Sequence, residues 1–304
     1  MTKRKCLVVI VGPTAVGKTP AAIVLAKYFN TEIISADSRQ FYREMKIGTS
    51  IPSMGELATV PHHFIGNRSV QEYYNASIFE IEVMELLPRL FSKHDMVIMT
   101  GGSGMYVDAV CRGIDDFPTV NAVIRENLKS AFLQKGIDWL RLQIKDSDPA
   151  YYAMVDLKNP KRLLKALEII TMTGRPYSSF LAQQKKERDF GIIQIGLNLK
   201  RDDLYNTINR RVANMIGAGL VEEVKGLLPF RKLNALDTVG YKEIFDHLEG
   251  KLTLAEAVDL IKRHTRQYAR RQLTWFRKNK DIKWFAPDQH NSMIHYILDR
   301  VQSA

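Results

Sequence analysis

Apolar residues follow two kinds of pattern along this chain, and the switch between them divides it. Lys5–Val11, Thr31–Ala36 and Asp95–Thr100 are short, nearly continuous apolar runs rich in β-branched residues. Such runs read as strands buried on both faces. Between them lie two helical stretches, Ala21–Phe29 and Asn75–Phe91, the second with Ile78, Ile81, Met84 and Leu87 at helical spacing. Residues 41–61 read as a loop, punctuated by Gly48, Pro52, Gly55 and Pro61. From about Arg112 the strand pattern stops. Residues 119–189 carry helical periodicity over Val120–Gln134, Ile137–Lys145, Tyr151–Val155 and Pro160–Thr173. Pro160 suits a helix start, and Thr173-Gly174-Arg175-Pro176 is a stop signal. Phe190–Leu197 returns to strand composition. Helices then follow over Leu204–Ile216, Val221–Leu228, Lys242–Leu248, Leu254–Trp275 and Ser292–Gln302. The expected architecture is a parallel-sheet α/β core of residues 1–115 and 190–304, interrupted by an all-helical insertion domain at 116–189.

The first strand and first helix are joined by Gly12-Pro13-Thr14-Ala15-Val16-Gly17-Lys18-Thr19, which fits G-x-x-x-x-G-K-[ST] at every fixed position. The strand–loop–helix context is what a P-loop needs, so the core is read as P-loop NTPase-like. Gly12 and Gly17 let the backbone curl so that its N–H groups point inward at phosphate oxygens. The helix N-terminus adds partial positive charge. Lys18 is placed to bridge phosphates and Thr19 to put its hydroxyl on Mg²⁺. Pro20 falls in the first helical turn, where a missing N–H costs little. The motif predicts a di- or triphosphate binder without saying what happens to the phosphate.

Two further loops belong to the same edge of the sheet. Open α/β sheets bind ligands beyond the carboxyl ends of their strands. Asp37-Ser38-Arg39-Gln40 follows the second strand there, and Gly101-Gly102-Ser103-Gly104 follows the third. Asp37 is either within reach of the P-loop ligand or a cap for a following helix; position alone leaves both open. His62-His63 lacks a third ligand nearby, so local packing or hydrogen bonding is expected over a metal site.

Composition narrows the class. The 304 residues are 45% apolar and 25% charged, as in ordinary globular proteins. No apolar run reaches the ~20 residues of a membrane span, and no signal peptide is expected ahead of the first strand. Two cysteines, Cys6 and Cys111, form neither a disulfide framework nor a zinc site. A cytoplasmic protein is expected, with no membrane partner and a monomer as the default state. The net charge of +11 favours a polyanionic partner. Lys262 to Lys280 contains no acidic residue but carries Tyr268, Trp275 and Phe276. That pattern favours a polyanion contact over a merely solvated helix face, with some of its arginines available to the active site.

Together these residues resemble the tRNA dimethylallyltransferase family of bacteria, over nearly the whole chain. The likeness rests on the P-loop, on Ile34-Ser35-Ala36-Asp37-Ser38 with Tyr42 and Ile47-Gly48-Thr49, and on Pro61-His62-His63. It continues through Gly101–Tyr106, Asn159-Pro160-Lys161-Arg162 with Ala166-Leu167-Glu168, and Val239–Glu243, and ends in Thr265–Trp275. The resemblance implies transfer of a dimethylallyl group from dimethylallyl diphosphate to N6 of the adenosine 3′-adjacent to the anticodon. The P-loop then holds a diphosphate leaving group, with Mg²⁺ as cofactor and the tRNA anticodon stem-loop as partner. It further implies that Asp37 is the general base and Arg211 an active-site arginine, with Arg210 beside it leaving the register open. Asp37, Ser38, Arg39, Gln40, Ser103, Arg125 and the segment Lys161-Arg162-Leu163-Leu164-Lys165 would touch the tRNA. The zinc-finger extension of eukaryotic relatives is not expected. The alternatives from the residues alone are a small-molecule or nucleotide kinase, an adenylate isopentenyltransferase, and a non-catalytic RNA-binding P-loop protein.

Overall fold

The computed structural model describes residues 5–115, 117–118, 121–181 and 186–303. It divides into two compact units, one built from the chain up to Arg112 and from Glu187 onward, the other from Gly113–Lys186.

The first unit begins with β1 (Cys6–Val11), α1 (Lys18–Phe29), β2 (Ile33–Ser35), α2 (Met54–Thr59), β3 (His62–His63), α3 (Ala76–Phe91), β4 (Met96–Gly101) and α4 (Gly104–Arg112). Its strands join β5 (Gly191–Leu197) and β6 (Lys283–Phe285) in one parallel sheet, ordered β3-β2-β4-β1-β5-β6. β1 lies between β4 and β5, with Leu7 in register with Val97 on one side and Ile192 on the other. Helices cover both faces, so β1 has no solvent side and its sequence shows no alternation. Ala21, Ala22 and Leu25 of α1 pack on one face. Phe79 and Val83 of α3 and Val107 of α4 pack on the other.

Two strands and two helices, α2 and α4, fall outside the elements expected from the apolar pattern. β3 and β6 are two and three residues long at the sheet's edges, too short to show a period. His62 and His63 make the local bonds expected of them: Nδ1–H of His62 donates to Val60 O (2.7 Å) and Nε2–H of His63 to Glu32 Oε2 (2.7 Å). α2 lies inside the segment read as loop. It buries no residue and so leaves no apolar stripe, and a Ser53–Glu56 capping box sets its start.

The second unit is helical: α5 (Ala122–Ser147), α6 (Pro149–Met154) and α7 (Pro160–Thr173), with a 3₁₀ turn at Tyr177–Phe180. Gly136 (φ 75°, ψ −173°) kinks α5, which is why its sequence reads as two helices. Val120, the expected start of that helix, lies outside the described residues. Leu140, Ile144, Leu163, Ala166 and Ile169 form the core. The buried Asp148 carboxylate caps α6 and accepts from both Ser178 N (2.7 Å) and Ser178 Oγ (2.8 Å), tying the 3₁₀ turn to the helices. Asn159 caps α7, Pro160 opens it, and Gly174 in the left-handed region closes it, as the sequence signals require.

The first unit resumes through α8 (Arg201–Gly217), α9 (Leu220–Gly226), α10 (Tyr241–Leu248), α11 (Leu254–Phe276) and α12 (His290–Gln302). Among the described residues no helix is long and apolar enough to cross a membrane.

Candidate active site

The phosphate loop leaves β1 and turns into α1. Gly12 (φ 153°) presses against β5, where a Cβ would sit 2.6 Å from Leu197 O. Gly17 (φ 100°) precedes α1, and no side chain caps the helix start. The first N–H groups of α1 therefore remain for a ligand. Lys18 Nζ folds over the loop and donates to Gly12 O (3.1 Å) and Pro13 O (2.8 Å). Burial pulls its pKa from 10.5 down to about 8; the Asp37 carboxylate opposes that pull and the Arg211 guanidinium adds to it.

Asp37 follows the carboxyl end of β2. Its Oδ1 accepts the Arg39 N–H (3.0 Å), closing a local turn, and no helix follows, so the helix-cap alternative does not hold. Arg211, in α8, donates to Thr49 O (3.3 Å) and feels the Asp37 charge, which partly offsets the lowering of its pKa by burial. Arg210 is exposed. Arg211 shares its surroundings with Asp37 and Lys18, and both arginines line the same cavity. A cavity of about 1150 Å³ brings these parts together, with Lys18, Thr19, Asp37, Arg211, Tyr268 and Gln272 among its walls.

The turn at 46–50 forms another wall and is held from three directions. Glu223 of α9 accepts the N–H groups of Lys46 (2.8 Å), Ile47 (2.7 Å) and Gly48 (3.0 Å) and the hydroxyl of Tyr241 (2.6 Å). Burial and the Glu223 carboxylate push the Tyr241 phenol far above its ordinary pKa, so it stays a donor. Gln40 Nε2 donates to Thr49 O (3.3 Å) and Ser50 O (3.1 Å).

Residues 40–279 match the family model described as IPP transferase. The chain belongs to the IPP transferase family. A relative named tRNA dimethylallyltransferase 1, from Bacteroides fragilis, is 50% identical over 293 residues, 96% of this chain and 97% of its own. One named tRNA dimethylallyltransferase, from Christiangramia forsetii, is 49% identical over 98% and 99% of the two chains. The solved structure of a full-length tRNA isopentenylpyrophosphate transferase from Bacillus halodurans superposes with a TM-score of 0.72 at 35% identity, covering 99% of this chain and 98% of that one. A structure of a eukaryotic dimethylallyltransferase acting on tRNA gives 0.78 at 25% identity, covering 94% of this chain and 74% of that one. The family match starts at Gln40, so the P-loop and Asp37 lie ahead of its span.

Within this IPP transferase, the expected RNA contacts separate by environment. Ser38 and Arg39 are half-buried near the cavity. Ser103 departs from expectation: it is buried, and its Oγ accepts the Ser38 N–H (2.8 Å) while also bonding the Tyr268 hydroxyl. It braces the Asp37 turn from inside. In the helical unit, Lys161 and Arg162 are exposed at the start of α7, and Leu164 and Lys165 are half-buried. Leu163 departs likewise, because helical periodicity turns its side chain fully into the unit's core. Arg125 Nε pairs with the buried Glu168 (3.2 Å). On α11 the basic run exposes Arg263, Arg270 and Arg271, while Phe276 is buried and Trp275 stays 39% exposed with Nε1–H on Asp108 Oδ2 (2.9 Å).

Sequence reading missed Glu223 and Gln272. Gln272 left a signal: Ala269, Gln272 and Phe276 occupy the buried stripe of α11, so a polar amide stands where the spacing asks for an apolar side chain. Glu223 left none, since three of its four partners are backbone N–H groups some 175 residues away.

Proposed function

We infer that this chain transfers the dimethylallyl group of dimethylallyl diphosphate to N6 of the adenosine 3′-adjacent to the anticodon in tRNA, releasing diphosphate. The observation that carries the reading is one juxtaposition: phosphate-loop Lys18 and the Asp37 carboxylate line one cavity. At about 1150 Å³ it exceeds the usual range of a single small-ligand pocket and has room for a base beside an allylic diphosphate.

In the reaction the bond between C1 and the diphosphate oxygen breaks, and its electron pair leaves with the diphosphate. The N6 lone pair forms the new bond to C1. The displaced N6 proton goes to Asp37, whose Oδ2 has no protein partner among the described residues. Charge grows on the departing diphosphate, and the loop N–H groups, Lys18 and Arg211 are already in place to stabilise it. Thr19 would hold a Mg²⁺ together with the substrate's phosphates. Among the described residues no three-member His/Cys/Asp/Glu cluster exists to hold a metal alone, and Mg²⁺ is commonly bound through one or two side chains plus substrate phosphates. Such an ion supplies further neutralisation of the diphosphate.

The target base must leave the anticodon-loop stack, at a cost of a few kcal/mol. Phosphate contacts from Lys161, Arg162 and the exposed arginines of α11 offset it. The chain works as a monomer in the cytoplasm under this reading. Incubating it with unmodified tRNA and labelled dimethylallyl diphosphate should place label on adenosine. ATP turnover without labelled RNA would assign the fold to a kinase, and preference for AMP as acceptor to an adenylate transferase.

A further inference from the structure

The loop that carries Ser103 is laid on one face of α11. Tyr268, Gln272 and Trp275 stand at i, i+4 and i+7 along that helix, so their side chains share a stripe. They meet three consecutive residues. The Tyr268 hydroxyl bonds that of Ser103, Gln272 Nε2 donates to Gly102 O (2.8 Å), and Trp275 lies against Gly104. The last contact needs glycine, because a Cβ on Gly104 would sit 2.3 Å from the indole ring. Tyr268 and Gln272 are also walls of the large cavity. Trp275 instead lines a separate cavity of about 120 Å³ together with Asp108.

Trp275 grips α4 at two points one turn apart. Its ring covers Gly104, and its Nε1–H donates to Asp108 Oδ2 (2.9 Å). Residues at i and i+4 share a helical face, so the two contacts fix both the height and the rotation of the first turn of α4. Burial raises the Asp108 pKa, and the indole N–H opposes that rise by favouring the carboxylate. The ring stays 39% exposed, so the N–H bond, more than apolar burial, is what ties this side chain down.

That first turn runs into the Asp37 turn. Ser103 O accepts the N–H groups of Tyr106 (2.9 Å) and Val107 (3.1 Å), which ties Ser103 to α4. Ser103 Oγ accepts the Ser38 N–H (2.8 Å), and Asp37 Oδ1 accepts the Arg39 N–H (3.0 Å). Linked contacts thus lead from Trp275 to the Asp37 carboxylate.

We propose that Trp275 and Asp108 are a positioning pair for Asp37, acting through α4 and Ser103 without touching substrate. This rests on the reading of Asp37 as the group that takes the N6 proton. A displaced base loses rate while ligands bind as before, since a misplacement of about 1 Å can cost roughly 10²-fold.

Trp275→Phe keeps a ring against Gly104 and deletes the N–H. Its single-turnover transfer at saturating tRNA and dimethylallyl diphosphate should slow about tenfold, with both affinities changed less than about twofold. Asp108→Ala should match it, and carries the same expectations if Trp275→Phe does not fold. Asp108→Asn keeps an oxygen for the indole N–H and should stay within about threefold of wild type. In a Ser103→Ala protein, which cuts the path, Trp275→Phe should cost nothing further. Hydrogen exchange of backbone amides 37–40 in the ligand-free protein reads the same path without the reaction. It should quicken severalfold in Trp275→Phe and Asp108→Ala, and not in Asp108→Asn. Losses that multiply in the Ser103→Ala background, unchanged exchange at 37–40, or tRNA affinity falling in step with rate would each overturn the proposal; the last would make Trp275 an RNA contact. A wild-type protein that transfers nothing to tRNA would defeat the functional reading, and the exchange rates would still decide whether the pair holds the Asp37 turn.

Discussion

The sheet unit and the helical unit hold their polar groups in different ways. In the sheet unit the cavity groups are fixed by partners far off in sequence. Gln272 reaches Thr14, Arg211 reaches Thr49, and Glu223 reaches the 46–48 turn. In the helical unit the bonds around the cationic segment span less of the chain: Asn159 caps the N–H of Arg162 three residues on, and Arg125 meets Glu168, 43 residues away, across two packed helices. The first arrangement preorganises charge, which developing charge on a leaving group requires. The second presents cations on a surface, which suffices for phosphates that need only a field. Chemistry should then fail sharply when one group in the sheet unit is changed, and binding should fade gradually when cations of the helical unit are removed.

The sharpest break is expected at Asp37. Asp37→Asn keeps the shape and an acceptor for the Arg39 N–H but cannot take the N6 proton. Single-turnover transfer should drop by roughly 10²–10⁴, with tRNA affinity changed less than about threefold. Equal losses in rate and affinity would show that Asp37 binds rather than reacts. Lys18→Ala should cost about 10²–10³ in rate, in the range of other lost transition-state donors, and should also weaken dimethylallyl diphosphate binding.

Lys18 also supplies a pH signature. Its native pKa of about 8 lies below the ordinary 10.5 because burial disfavours the charged form. Diphosphate binding needs that charge, so affinity should fall as pH rises through about 8, by up to tenfold per unit. The Lys18 part of the slope should vanish in Lys18→Ala, and whatever slope remains there is the ligand's own titration. Stability runs the opposite way. Between about 8 and 10.5 the unfolded chain holds the proton that the native chain has lost, so the Lys18 contribution to stability rises with pH across that window.

How much of this was legible beforehand follows from the range of each interaction. β1, β4, β5 and α7 are written in local apolar period and capping residues, and the structure reproduces them within a residue or two. The P-loop is a local motif and was readable whole. Asp37 was placed by a fold rule, but its turn was not, because that depends on Ser103 and Tyr268 arriving from two other elements. Leu163 shows the converse. A motif-based likeness assigns a whole segment to RNA contact, while helical geometry turns one residue in five inward.

Glu223→Gln tests the long-range side of the contrast at moderate size. The substitution sets an NH₂ group against one of two donor pairs, Lys46 and Ile47 N–H or Gly48 N–H and the Tyr241 hydroxyl. A loss of about 1–3 kcal/mol is expected for such a half-buried, multiply bonded charged acceptor, read as a lower urea midpoint. The 46–50 wall should loosen with it, and transfer should slow by roughly tenfold, a smaller effect than loss of a reacting group. An unchanged rate in a stable Glu223→Gln protein would mean that the wall need not be held.

The smallest effects should come from Lys161→Ala and Arg162→Ala. Each removes one surface cation, so tRNA affinity should weaken a few-fold at most. The slope of log affinity against log salt should become shallower by about 0.7–0.9 for each phosphate no longer neutralised, and the rate at saturating tRNA should not change. Leu163→Ala, one residue further along, provides the control. Its side chain is wholly inside the core of the helical unit, and truncating a buried leucine costs roughly 2–5 kcal/mol. It should lower stability and leave the salt slope untouched. If Lys161→Ala and Arg162→Ala instead behave like Leu163→Ala, α7 contributes to this protein as a packed helix alone. If they behave as predicted, neighbouring residues on one helical turn carry two separable jobs, assigned by which way the helix points each side chain.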